Sequence, residues 1–266
     1  MGKYFNTLIK FIKNNKLLFG LILISILICF SFILNQVGYI KEYNTLDKPN
    51  LYCFWTGKNP LTENRKRNLK TLNNTGFNVI LITPDNLNEY ILPEHPLHDG
   101  YQYLSQTHKA DYLRCYFMNF YGDGYSDIKQ INDSWLTHYN ELKNSDKWAC
   151  GYAERNWDDI AYGSNKKINQ EMKKNYYKLI GNGCYIFKSN TPLTNEWYKQ
   201  MMQLMDEKYN ELKKYPSKSL QQVYSKEYPY PLEWNELLGR IFHPLVYKYN
   251  DKILKNLPYV NINDYR

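Results

Sequence analysis

Asp111, Arg114, Tyr125, Asp127 and Lys129 fall within residues 107–129, THKADYLRCYFMNFYGDGYSDIK, and this is the stretch with the most evident chemistry. Asp111 and Arg114 stand three apart, the spacing that sets side chains next to each other on a helix. Gly122 and Gly124 follow, and glycines there supply the positive-φ exit that ends a helix. Residues 125–128 then read as a strand in which Tyr125 and Asp127 share a face. An acid at a strand end beside a glycine turn is placed to hold a divalent ion, Mn²⁺ or Mg²⁺, against a diphosphate, because hard oxygen ligands suit those ions and the ion neutralises charge on a leaving group. Lys129 stands where a second acid would complete such a site. Either it points away and another carboxylate serves, or its ammonium takes over part of the ion's task. Asp123, inside the turn, precedes the strand and is the poorer replacement.

The elements that hold these groups follow from the flanking pattern. Ser105 or Thr107 caps a helix whose apolar positions, Ala110, Leu113, Tyr116, Phe117 and Phe120, recur at helical spacing. Residues 51–55, LYCFW, read as a buried strand ended by Thr56 and Gly57. Asn59 and Pro60 read as the cap and first turn of a helix closed by Gly76, and residues 77–83, FNVILIT, as a second strand stopped by Pro84. Strand, helix and strand with short connections form a βαβ unit, so the fold class is α/β, a mostly parallel sheet with helices on both faces. Such sheets bind ligands at the carboxyl ends of their strands, which puts Trp55, Thr56 and Gly57 on a pocket rim. There the Trp55 indole either stacks on a base or sugar or serves as ordinary core packing.

Downstream, residues 148–153, WACGYA, form a third strand with Glu154, Arg155, Asp158 and Asp159 at its exit, a cluster that reads as a solvated loop. Residues 163–178 are lysine-rich, an exposed helix or loop. Residues 179–188 return to strand behind a turn at Gly181, Asn182 and Gly183. Thr191 and Pro192 start a long helix with a stripe of Leu193, Trp197, Met201, Leu204, Met205 and Leu212 that belongs to the core. A last helix is predicted over 232–242, with His243 directly after it. His95 and His98, separated by Pro96, share no helical face and read as solvated.

The pattern SxxxxADYLRxxxxxxYGxGYSDxK resembles the segment of glycosyltransferases with a sugar-binding DXD region, the group that includes initiating mannosyltransferases, capsular polysaccharide synthesis proteins and clostridial glucosylating toxins. Asp111, Arg114, Tyr121, Gly122, Gly124, Tyr125 and Asp127 match, with intervals of 16 (127 − 111) and 13 (127 − 114) residues. The resemblance implies a GT-A fold, a nucleotide-sugar donor (UDP- or GDP-linked), a glycan or other hydroxyl acceptor and retention at the anomeric carbon. It further implies that Asp111 and Arg114 hold the transferred hexose, Asp127 meets ribose or metal, Trp55 stacks on the base, Asn182 contacts the sugar and His243 reaches the metal. Lys129 departs from the family pattern, in which the second acid binds the metal. A lapsed, carbohydrate-binding or regulatory protein is the alternative that this departure leaves open.

The remaining chain sets the context. The formal charge of +8 and pI near 9.0 suit an anionic partner such as a nucleotide diphosphate or lipid headgroups. No helix-turn-helix, zinc-finger or RNA-recognition signature supports nucleic acid, and no GxSxG, HExxH or Cys-His signature supports a hydrolase. Residues 17–34 form an uncharged apolar run of 18, the length of a membrane-spanning helix, and no small-residue cleavage site follows. With Lys3, Lys10, Lys13 and Lys16 before it, the run reads as the anchor of a single-pass type II protein whose catalytic domain is lumenal or extracytoplasmic. The predicted layout is a cytoplasmic tail at 1–16, the anchor at 17–37, a stem at 38–50 and a catalytic domain at 51–266. Asn73 and Asn132 begin acceptor sequons for glycosylation there. Cys115 and Cys184 sit in apolar elements and read as reduced core residues.

Overall fold

The computed structural model describes residues 48–261, with the folded unit beginning at Pro49. The expected tail, anchor and nearly all of the stem lie outside the described residues. Among the described residues no helix is long and apolar enough to cross a membrane.

The first βαβ unit forms as its pattern dictates. Strand β1, Asn50–Phe54, pairs in parallel with β2, Asn78–Ile82, from Asn50 opposite Asn78 to Phe54 opposite Ile82. The helix between them, α1, Glu63–Thr71, starts later than Asn59 and Pro60 suggest. Its cap is Thr62, whose side chain accepts the Arg65 amide, while the Asn59 carbonyl accepts the Trp55 indole N–H at 2.6 Å and keeps the preceding residues in a loop. A 3₁₀ turn over Leu72–Thr75 follows, and Gly76 closes it at φ 83° as predicted.

Helix α2, Gln106–Phe120, is capped by Ser105, whose side chain accepts the His108 amide. Gly122, at φ 69°, reverses the chain into β3, Asp123–Ser126. The second left-handed residue is Asp123, at φ 61°, and not Gly124. Gly124 lies within β3, where a Cβ would press on Leu51 and Phe77, so packing requires the glycine there. Asp123 is the first residue of the strand, and its carboxylate accepts the Asn50 amide at 2.9 Å, at the end of the sheet away from Asp127.

Strands β4, Ala149–Ala153, β5, Ile180–Phe187, and β6, Ile253–Leu254, complete a six-stranded sheet of order β2-β1-β3-β5-β4-β6. Only β5 runs against its neighbours; the other pairings are parallel. Gly181, Asn182 and Gly183 are part of β5 and form no turn. The Asn-Gly signal is overridden because a Cβ on Gly181 would overlap the Tyr152 ring, whose hydroxyl accepts the Gly183 amide at 3.0 Å. The glycines admit an aromatic ring across the strand.

Alternation along the strands loads both faces. Tyr52, Phe54, Tyr125, Tyr185 and Phe187 join the cluster that contains Tyr116 and Phe117 of α2. The same cluster takes Leu193, Trp197, Met201, Met205 and Leu212 of α5, Pro192–Lys214, and Phe242 of α6, Gly239–Lys248. The predicted stripe of α5 is thus core. Leu51, Cys53, Cys150, Cys184 and Ile186 face the other way, toward Leu72, Phe77, Trp135 and Leu142 of α3, Leu136–Lys143. Helices cover both faces, as the sequence requires. Cys53, Cys115, Cys150 and Cys184 are all buried and free. The lysine-rich stretch contains the short helix α4, Lys166–Lys174.

The C-terminal helix departs most from expectation. It begins at Gly239, so His243 lies inside it, followed by Pro244, which deprives the Arg240 carbonyl of its helical donor. Residues 230–238 stay out of the helix because Tyr230 and the Glu233 carbonyl are bonded to His108.

Gly181→Ala is expected to lower stability by about 1–3 kcal/mol, the usual range for overpacking. In a Tyr152→Ala background, where the clashing ring is gone, the same change should cost much less. Chemical denaturation of the four proteins checks this, and equal losses in both backgrounds would contradict the packing account.

Candidate functional site

The turn at Gly122 folds α2 back beside β3, and this brings Arg114 against Asp127. Arg114 Nη2 lies 2.9 Å from Asp127 Oδ1, and its Nη1 donates to the Asn182 carbonyl at 3.2 Å. The guanidinium carbon sits 4.7 Å from the centre of the Tyr125 ring, a cation–π contact. Tyr125 and Asp127 share a face as expected, and the Tyr125 hydroxyl donates to Asp127 Oδ1 at 2.5 Å. Lys129 does not point away: its Nζ is 2.9 Å from Asp127 Oδ2. The Asp127 amide donates to the Gly183 carbonyl at 2.8 Å, which continues the β3–β5 ladder and fixes the carboxylate.

Arg114, Tyr125 and Asp127 open onto a cleft of about 260 Å³. Trp55, Thr56 and Gly57 form its rim at the carboxyl end of β1, as the switch from strand to loop predicts. The Thr56 hydroxyl donates to the Gln106 carbonyl at 2.7 Å and ties this rim to the start of α2. Arg114, Tyr125, Asp127 and Ile128 make the floor, and Arg65 enters from α1 with its Nη1 on the Ile128 carbonyl at 2.7 Å. Leu220, Gln221 and Trp234 make the far wall. Trp234 is 46 % exposed.

Asp111 is absent from the cleft lining. It is 4 % exposed and lies behind Arg114, with 3.9 Å between Oδ1 and Nη2. Asn182 presents its carbonyl to Arg114, and its side-chain Nδ2 lies 3.5 Å from His243 Nε2. His243 is wholly buried; its Nδ1 accepts the Ala161 amide at 2.9 Å and its Nε2 lies 3.5 Å from Glu154 Oε1. Glu154, read as part of a solvated loop, is therefore a buried partner of this histidine, whereas Arg155, Asp158 and Asp159 are exposed. His98 pairs with Asp206 at 3.0 Å and His95 stacks on Phe120 at 4.3 Å, so the two serve separate local contacts.

As these side chains stand, a divalent ion has no seat at Asp127. One carboxylate oxygen is held by Arg114 and Tyr125, the other by Lys129, and the two cationic groups would repel a third. Among the described residues no three His, Cys, Asp or Glu gather as ligands.

Electrostatics separate the two acids. Burial pushes Asp127 up, but Arg114 and Lys129, with the Tyr125 hydrogen bond, outweigh it and bring the carboxyl down to about 2. Burial also dominates at Asp111, where Arg114 is farther away and the Asp127 charge opposes ionisation, and that carboxyl is pushed up to about 7. Below neutral pH the site therefore contains two cations, Arg114 and Lys129, against one ionised acid, with Arg65 a third cation in the cleft.

Three groups escape the sequence reading. His108 is wholly buried, its Nδ1 3.0 Å from the Tyr230 hydroxyl and its Nε2 3.1 Å from the Glu233 carbonyl. The carbonyl only accepts, so Nε2 bears a proton. Burial lowers its pKa to about 4. This histidine holds the segment that carries Trp234 over the cleft. Neither Trp234 nor Arg65 has a local signal, since each reaches the site through tertiary contacts.

Asp111 sets a pH dependence. Its native pKa lies above the unfolded value, so the native form binds more protons between about pH 4 and 7, and stability falls as pH rises through that window. His108, neutral in the native form, acts in the opposite sense between about pH 4 and 6.5. The comparison with Asp111→Asn isolates the first effect: the variant should gain on the parent by up to about 1.4 kcal/mol per pH unit from pH 4 to 7. Urea unfolding at several pH values measures the difference, and a constant offset would refute the assignment.

The chain matches no protein-family model, no curated protein and no solved structure, so the reading of the site rests on its own geometry and on the resemblance of its motif.

Proposed function

We propose that the chain is a glycosyltransferase that moves a hexose from a UDP- or GDP-sugar to a hydroxyl of a glycan or other acceptor, with its own cationic side chains neutralising the donor diphosphate. The observation that carries this reading is the Arg114–Asp127 pair beside Tyr125, in one cleft with Trp55 at the carboxyl ends of parallel strands, with Lys129 on the second Asp127 oxygen. Arg65 and Arg114 line the cleft beside one acid, Asp127, whose other oxygen is held by Lys129, and this excess of cations favours an anion. Trp55 and Trp234 offer flat surfaces for a base or sugar.

In the reaction, the acceptor oxygen forms a bond to the anomeric carbon while that carbon's bond to the diphosphate oxygen breaks. The electron pair leaves with the nucleoside diphosphate, which also takes up the hydroxyl proton. Lys129 and Arg114 stabilise the negative charge that grows on the leaving group, the task the resemblance assigns to a metal ion. Asp127 positions both cations. Asp111 positions Arg114 from behind and reaches the hexose only if its side chain turns. An anchor at 17–37 would hold this site beside a membrane, on the lumenal or extracytoplasmic side.

The test is nucleotide release from UDP- and GDP-hexoses by the full chain, in EDTA and in Mn²⁺. Release is expected in EDTA, Lys129→Ala should lower it about 10²-fold, and Asp127→Ala should abolish it while the protein still unfolds cooperatively. Failure to release nucleotide from any sugar nucleotide, with or without Mn²⁺, would overturn the proposal.

A further inference from the structure

A second cleft lies on the other side of the segment that carries Asp127. Asp127 and Ile128 line the first cleft, and Gln130 lines the second, which encloses about 580 Å³. Lys129 stands between them. A Cβ on Gly183 would lie 3.0 Å from the Tyr152 hydroxyl and 3.7 Å from both Lys129 Nζ and Val260 Cγ2, so the ammonium and one residue of the second cleft's wall pack around the same point on β5. The Asp127–Lys129 ion pair thus lies between the first cleft, which Asp127 lines, and Val260 of the second.

The lining selects the class of ligand. Gln130, Asn132, Asn156 and Asn261 each offer an amide that donates and accepts. Gln130 is prearranged, since its Nε2 donates to Asn132 Oδ1 at 3.1 Å and its Oε1 accepts from Asn261 Nδ2 at 3.1 Å. The side chains of Asp133, Asn156 and Asp159 make no hydrogen bond among the described residues, so their capacity is open. The Arg155 guanidinium carbon lies 3.8 Å from the centre of the Tyr259 ring, a cation–π contact. Two carboxylates against one guanidinium disfavour a phosphorylated or acidic ligand. The lining has one aliphatic side chain, Val260, so an acyl chain finds nothing to bury against. A neutral ligand dense in hydroxyls meets every group present, because hydroxyls donate to the acids and accept from the amides and the guanidinium.

We propose that this second cleft is the acceptor site and takes an uncharged oligosaccharide, its reactive hydroxyl turned toward Asp127 and Lys129. The inference rests on the donor reading of the first cleft, and its test separates the two. Maltose, lactose, mannobiose and chitobiose, at millimolar concentration, are titrated against the full chain by ligand-observed NMR. Nucleotide release to water alone is followed in parallel. At least one disaccharide should bind, and Asp133→Asn/Asp159→Asn should weaken its binding about tenfold or more, through loss of hydrogen bonds to charged acceptors. Release to water, which needs the first cleft alone, should be unchanged in that variant. If none of the disaccharides binds the parent protein, or the variant binds as well as the parent, the acceptor site is refuted whatever the donor assay gives. If disaccharide binds and no donor is ever cleaved, the donor reading fails and the second cleft stands as a glycan site.

Discussion

Arg114 carries a permanent charge into the interior of an α/β domain, and most of what surrounds it can be understood as compensation. A guanidinium removed from water without partners would cost several kcal/mol, more than a typical domain can spare. Its partners come from two strands: the Tyr125 ring and the Asp127 carboxylate from β3 and the residues just after it, and the Asn182 carbonyl from β5. Those elements meet at one point only if α2 folds back at Gly122 and β5 runs antiparallel beside β3. The interaction that builds the cleft therefore also fixes the register of the strands around it.

The same pair explains why two aspartates sixteen residues apart (127 − 111) behave differently. Asp127 faces two cations within 2.9 Å and stays ionised down to about pH 2. Asp111 has only Arg114, at 3.9 Å, and burial prevails. Lys129, standing where the resembling pattern has an acid, leaves Asp127 between two cations, an arrangement suited to an anion rather than a cation. Lys129 and the diphosphate reading are consistent on that ground.

Where the sequence succeeds and where it fails follows from the range of the forces involved. Strands β1 and β2, helix α2 and helix α5 are legible because apolar period, caps and breakers are local. Ser105, Gly76, Gly122 and Thr191 each act within a few residues of their own position. The rim at Trp55, Thr56 and Gly57 is legible because parallel strands gather their carboxyl ends on one edge, whereas the pairing of Arg114 with Asp127 is not, since the local spacing sets Arg114 beside Asp111. Asn59, Gly181 and His243 are misread because distant partners decide them: the Trp55 indole, the Tyr152 ring and the segment held by His108. Trp234 and the second cleft were invisible for the same reason, since residues near 130, 155 and 260 meet only after the sheet has formed.

The central claim is that this cluster binds a nucleoside diphosphate through side-chain charge alone. Calorimetric titration of UDP and GDP into the full chain, in EDTA, tests it most directly. The account predicts saturable binding of at least one of them, weakened when salt is raised. Binding that appears only when Mn²⁺ is supplied, or that is indifferent to Lys129→Ala, would contradict it.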